Sequence, residues 1–221
     1  MSKRGTGAIL GLGLMAACSG GGDTRIVDQY FGAVNAGDNQ TLTSFAMVPF
    51  KEKVDKWSVT GSSPEKRSPA TLPDLVAKGK KLEADVAANK KEAGAYTIAH
   101  ADEYNRYMEA TRKGAKLPGN LQKFAEDWAK FETSDKDLRK QIAENKAAVE
   151  RERRNVTLSV GANDALDTMT GEMVEKTLDL ALTIKGEVKN YAMGLRKYEL
   201  TGGAGTGRSV SRWVVQTLQA K

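Results

Sequence analysis

The stretch Val174-Glu175-Lys176-Thr177-Leu178-Asp179-Leu180-Ala181-Leu182-Thr183-Ile184-Lys185-Gly186 decides the fold. Side chains of an extended chain alternate between two faces, so Val174, Leu178, Leu180, Leu182 and Ile184 fall together on one of them. Tyr191, Met193 and Leu195 repeat the alternation after Lys185-Gly186, a pair suited to a tight turn. Two long antiparallel strands are therefore predicted. On one side Val156, Leu158 and Val160 alternate with Thr157 and Ser159 and predict a further strand. On the other, Val210, Val214 and Leu218 run opposite Trp213 and Val215 and predict a closing one, joined by a loop over residues 201–207.

Upstream the period changes. Between Leu72 and Asn155 there is no strand-like alternation, and Pro118-Gly119 is the one strong break. Leu121, Phe124, Trp128, Phe131, Asp135, Leu138, Ile142, Asn145 and Val149 are spaced alternately three and four apart, as a heptad seam requires. A weaker stripe runs through Leu75, Gly79, Leu82, Val86, Asn89, Ala93, Tyr96, His100, Glu103, Tyr107 and Ala110. Folding the two at residues 116–119 makes an antiparallel helical hairpin over 71–155. Partner numbers then sum to about 234. That register puts Val86 beside Val149, Asn89 beside Asn145, His100 beside Asp135 and Tyr107 beside Trp128. The two polar pairs read as register-fixing contacts. Arms of 35 to 40 residues are on the order of 50 to 60 Å long and must project from a compact body.

Toward the N-terminus, Ile26, Val27, Tyr30, Phe31 and Val34 recur at helix spacing, with Asp23 or Thr24 to cap the start and Gly37 to end it. Asp38 can cap a second helix carrying Leu42 and Phe45. Residues 54–59 alternate like a strand with Asp55, Trp57 and Val59 on one face. Residues 61–70 read as a loop.

Composition narrows the chemistry. The 221 residues are 40% hydrophobic and 28% charged, as in a folded chain. Thirty-four basic against 28 acidic residues give +6, but 18 basic and 15 acidic residues share the hairpin, so no dedicated nucleic-acid surface is implied. One Cys and one His allow neither an internal disulfide nor a usual zinc site. No catalytic, cofactor-binding or metal-ligating set is assigned. Residues 202–209 match G-x-x-x-x-G-K-[ST] except for Arg208, but a strand rather than a helix is predicted to follow, so a hairpin loop is expected there.

Lys3 and Arg4 precede an apolar stretch of about ten residues, too short to cross a membrane as a helix, which reads as a signal peptide over 1–17. Its end, Leu14-Met15-Ala16-Ala17-Cys18, resembles a bacterial lipoprotein lipobox. Met15 stands where the usual pattern has an aliphatic residue such as Leu. The resemblance implies lipidation of Cys18, a Gly-rich tether over 18–22, and anchoring in the cell envelope. Ser19 after the Cys implies the outer membrane, facing the periplasm, over the inner one. Loss of 17 residues and two cations would leave 204 residues of net charge +4.

Two further segments carry a second resemblance. Asp28-Gln29-Tyr30-Phe31-Gly32-Ala33-Val34-Asn35-Ala36-Gly37-Asp38, followed by Leu42 and Phe45, and the closing Ser211-Arg212-Trp213-Val214-Val215-Gln216 are similar to NTF2-like proteins, the first to ketosteroid-isomerase-like members. The resemblance implies an α+β cone over 23–70 and 156–221, interrupted by the helical hairpin where a short third helix normally sits. It also implies a ligand pocket at Tyr30, Asp55, Trp57 and Trp213. Tyr30 would be the hydrogen-bond donor and Asp55 the base of an isomerase-like enzyme. The expected role is instead non-catalytic: a lipid-anchored binding or scaffolding protein whose hairpin contacts a protein partner or itself, with the enzyme as the alternative.

Overall fold

The computed structural model describes residues 20–162, 165–202 and 211–221. Among them are five helices, α1 (Gly20–Ala36), α2 (Asn39–Phe45), α3 (Leu72–Ala99), α4 (Ala101–Arg112) and α5 (Gln122–Val160). The strands are β1 (Lys56–Ser62), β2 (Lys66–Pro69), β3 (Thr170–Ile184), β4 (Glu187–Thr201) and β5 (Val214–Ala220). The fold is α+β. One antiparallel five-stranded sheet has the order β1-β3-β4-β5, with β2 beside β1 along the same edge of β3.

The β3–β4 hairpin is the spine of the sheet. Its ladder runs without a register shift from Thr170↔Thr201 to Ile184↔Glu187. Lys185 and Gly186 both take positive φ, 53° and 82°, the backbone of a two-residue turn whose twist matches the strands. Leu178, Leu180, Leu182 and Ile184, with Met193 and Leu195 across the ladder, bury one face under α1 and α2. Met173, Tyr198 and Leu200 have the opposite parity, so they lie on the other face. There they pack against Leu72 of α3, Val156 of α5, Leu166 and Met169. The sheet is thus covered on one face by the N-terminal helices and on the other by the roots of the long ones.

Local chemistry fixes α1 and α2. Asp38 caps α2 by accepting from the Thr41 hydroxyl and N–H, which hold its carboxyl below the usual range. Near the end of α1, Asn35 donates to the Val54 carbonyl (2.7 Å) and accepts from the Val54 N–H (2.9 Å), pairing both backbone groups of the segment that enters β1. At the other end a buried ion pair joins Asp23 to Lys176 of β3.

α1 begins at Gly20 and not at an Asp23 or Thr24 cap, so residues 20–22 of the expected tether are helical. Three further expectations are corrected. Residues 156–160 are the last turns of α5, not a strand: the β-branched run disfavours helix locally, but burial of Val156 and Ser159 against β4 overrides that preference. The hairpin boundary therefore moves from 155 to 160. Residues 66–69, expected in a loop, pair as β2 with Glu172–Glu175, an edge strand with no apolar alternation to announce it.

The third correction is the register of the helical pair. Asn145 donates to the Leu75 carbonyl (3.0 Å) and Asn89 to the Phe131 carbonyl (3.2 Å), so partner numbers sum to 220 rather than 234. Asn89 does not meet Asn145, and Asp135 pairs with Arg139 of its own helix instead of His100. The difference of 14 residues is two heptads, and a heptad seam matches itself after such a slip. What selects the register is a break at His100, where φ of −122° and ψ of 43° end α3 and start α4. The break lets α4 fold back over α5.

The register predicts a sensitivity. A Cβ on Gly79 would lie 2.9 Å from Nδ2 of Asn145, the atom that holds Leu75. Gly79→Ala is expected to cost about 1 to 3 kcal/mol in urea unfolding, despite its gain in helix propensity. Unchanged or raised stability would contradict the close approach of α3 and α5.

Candidate functional site

The four residues expected to line a pocket do not line one together. Tyr30 is wholly buried; its hydroxyl donates to the Val48 carbonyl (3.0 Å) and its ring meets Phe31 and Phe45 edge-on. Burial pushes its phenol up to about 12. Asp55 is exposed beside the β3–β4 turn, where its carboxylate accepts from the Gly186 N–H (3.2 Å). Trp57 is half-buried, tilted against Phe31, and donates from Nε1 to Asp28 (2.7 Å). Trp213 is half-buried on the core cluster that holds Tyr30, with the ammonium groups of Lys176 and Lys197 at 4.5 and 4.7 Å from its ring centre. Tyr30 and Trp57 share the aromatic core around Phe31 and Trp213 packs on the same core cluster, whereas Asp55 stands apart from it.

A denser constellation lies where the long helices meet the sheet. Glu152 of α5 is 6% exposed, and its Oε1 accepts from the Tyr198 hydroxyl and from Thr71, both at 2.8 Å. Its Oε2 accepts from Arg196 (3.3 Å), whose guanidinium also forks onto Glu175 at 2.7 and 3.0 Å. Burial, and then the negative charge of Glu152, hold the Tyr198 phenol well above its ordinary value. Ser159, the last residue but one of α5, accepts from the Tyr198 N–H and donates to the Arg212 carbonyl, both at 2.9 Å. The helix thereby supplies hydrogen bonds to β4 just beyond its last pairing with β5. Every partner in this cluster is taken, and its chemistry is that of a joint. The sequence held a signal for it: counting three and four onward from Val149 reaches Glu152, Val156 and Ser159, so a charge sits on a seam position.

The far end of the helical pair is built differently. The rings of Tyr96, His100, Tyr104 and Tyr107 all stand within 6.4 Å of the Phe124 ring, and Trp128 and Phe131 extend the cluster. Tyr96 and Tyr107 would be about 16 Å apart along a straight helix, too far to touch one ring. The break at His100 brings them together. Ile98 beside the cluster is 82% exposed, and Met108 on α4 is 46% exposed.

Among the described residues no group of three or more His, Cys, Asp or Glu could hold a metal ion. No described helix is long and apolar enough to cross a membrane. Cys18 and most of the glycine-rich 202–209 segment lie outside the described residues. Fold and site together define an α+β protein whose five-stranded sheet carries an antiparallel helical arm on a buried ionic joint. In comparisons with family models, curated proteins and solved structures, nothing matches the chain.

Two outcomes are expected. Glu152→Ala removes the acceptor of Thr71, Tyr198 and Arg196 and should cost about 3 to 5 kcal/mol in denaturant unfolding, against about half that for Glu152→Gln, which keeps one oxygen. Equal, small losses would mean that the carboxylate does not hold the arm. The second outcome concerns alkali. Tyr30 titrates near 10 when unfolded and about 12 when folded, so its contribution is whole below pH 10 and is lost as pH rises through about 12. Unfolding followed at 295 nm should show Tyr30 and Tyr198 ionising only as the chain unfolds, and a Tyr30→Phe variant should lose part of that slope.

Proposed function

We propose that this chain is a lipid-anchored protein of the bacterial cell envelope, held through Cys18 in the outer membrane and facing the periplasm. Its role is non-catalytic binding or scaffolding, performed by the helical arm on a protein partner or on a second copy. In this reading the body is an NTF2-like domain and the arm an insertion in it. Two observations support that assignment: α1 and α2 pack on an antiparallel sheet, and the arm leaves after β2 and returns before β3.

The scaffolding role is carried by the arm's outer half. Among the described residues the arm packs on the sheet at its root, around Leu72, Val76 and Val149 to Val160, whereas α4 packs chiefly on α3 and α5. An aromatic cluster of seven rings stiffens that end, and Ile98 presents its side chain to solvent beside it. The isomerase-like alternative needs the Tyr30 hydroxyl and the Asp55 carboxylate at one cavity. The hydrogen bond from Tyr30 to Val48 and the exposure of Asp55 weigh against it.

A photoreactive residue in place of Ile98, activated in living cells, tests the role. One discrete envelope adduct or a crosslinked dimer is expected, absent when the same residue replaces Lys51 on the body and lost from membranes when Cys18→Ser is added. The same adducts from positions 98 and 51, or none from either, would remove the arm as an interaction surface.

A further inference from the structure

Beside the start of α1 lies a groove of about 380 Å³ lined by Gly22, Arg25, Gln29, Phe45, Arg212 and Trp213. We propose that this groove is a headgroup site, the part of the body that docks on anionic phospholipids of the leaflet in which Cys18 is anchored. The inference rests on the anchoring reading above and adds which face meets the membrane, and through which groups.

Chain length supplies the first argument. A single residue, Ser19, separates Cys18 from Gly20, the first residue of α1. Two residues span at most about 7 Å, and the first turn of α1 is itself pinned to β3 by the buried Asp23–Lys176 ion pair. An anchor at Cys18 therefore holds this end of the body against the bilayer, with no linker to let it turn away.

Charge supplies the second. Arg25 is exposed and has no carboxylate partner among the described residues. The Arg212 guanidinium donates to the carbonyls of Leu158 (2.6 Å) and Ser44 (3.1 Å), which fix its position without neutralising it. Two guanidinium groups without a carboxylate partner among the described residues, which fit phosphate oxygens bidentately, thus share one groove with the half-buried Trp213 ring and Phe45. A cation beside an indole is the chemistry of a membrane interface, where the ring sits at headgroup depth and the guanidinium meets phosphate.

Placement supplies a consequence for the arm. Arg212 bonds to Leu158 at the root of α5, and Gln122 at its other end is about 54 Å along the helix. Docking through the groove therefore fixes the root of the arm at the leaflet and puts the start of α5 about 54 Å along the helix from that point.

The test uses the full chain with Trp57→Phe and Trp128→Phe, so that Trp213 is the sole indole. Cys18, the only thiol, is coupled to maleimide lipid in vesicles whose acyl chains carry bromine close to the headgroup. Quenching of Trp213 is expected on phosphatidylethanolamine vesicles containing phosphatidylglycerol and should be much weaker on phosphatidylcholine alone. Arg25→Gln, which breaks no hydrogen bond seen among the described residues, should lower the docked-to-undocked ratio about fivefold, with circular dichroism unchanged. Absence of quenching despite coupling confirmed by mass would overturn the proposal. Equal quenching on both lipids, or none of the Arg25→Gln effect, would overturn it too, leaving an orientation set by the Cys18 anchor alone. Fatty-acid labelling of Cys18 in cells is a separate readout: its failure would refute the anchoring reading, because in the vesicles the anchor is supplied chemically.

Discussion

A single buried carboxylate joins the two halves of this protein. Glu152 takes hydrogen bonds from Thr71 at the entrance to α3 and from Tyr198 and Arg196 on β4. Removing a carboxylate from water is costly, and the cost is offset only when its oxygens are fully used by well-placed donors. Here three donors converge, one of them cationic, and the second acid Glu175 shares the Arg196 fork, so the cluster carries one cation and two anions around a neutral phenol. An apolar contact could hold a helix against a sheet at several rotations. A carboxylate that must meet a hydroxyl, a phenol and a guanidinium at once has one. The direction in which the arm leaves the sheet is set by that requirement, and Ser159 repeats it two turns further on.

The arm needs such a joint because its own interface is permissive. A seam with three-and-four spacing accepts partners in any register that differs by a heptad, and polar seam residues choose among them. Asn145 and Asn89 do so by donating to backbone carbonyls of the facing helix rather than by meeting each other. Gly79 makes room for the first of these contacts. At the tip, the break at His100 wraps four aromatic rings of one strand of the arm around Phe124. Offset and edge-on aromatic pairs add directional attraction to simple burial, so the tip is held by its own residues with no help from the sheet.

Much of the body was legible in the sequence. The even-numbered run from Leu178 to Ile184, the Lys185-Gly186 turn and the Asp38 cap each depend on neighbours close in the chain, and each is found as read. What local pattern did not reveal depends on distant partners. Val156 to Val160 alternate like a strand and carry β-branched residues, yet they are helical because Glu152, Val156 and Ser159 continue the seam onto β4. The arm's register escaped because periodicity fixes it only modulo a heptad, and the His100 break that resolves it carries no Pro or Gly. The expected pocket residues rest on the NTF2-like resemblance, which gives positions along the chain and not surroundings. An aromatic at position 30 or 57 is equally suited to lining a cavity or filling one, and only the surroundings of Phe31 distinguish the two.

That distinction moves the functional weight outward. With Tyr30 tied to Val48 and Trp57 to Asp28, the polar ends of the core aromatics are already partnered inside the protein, as buried phenols and indoles require. Among the described residues, two sets of groups open to another molecule stand out. In one, Arg25 and Arg212 stand beside Trp213; in the other, Ile98 and Met108 stand beside the aromatic tip. Between them runs α5, a single helix of 39 residues fastened at its root by Glu152 and Ser159. The root of this helix thus adjoins a basic-aromatic groove, and exposed apolar side chains stand near its far end, about 50 Å away along its axis. The ionic joint makes that separation a property of the fold, because the arm cannot rotate on the sheet without stranding the Glu152 carboxylate away from its donors.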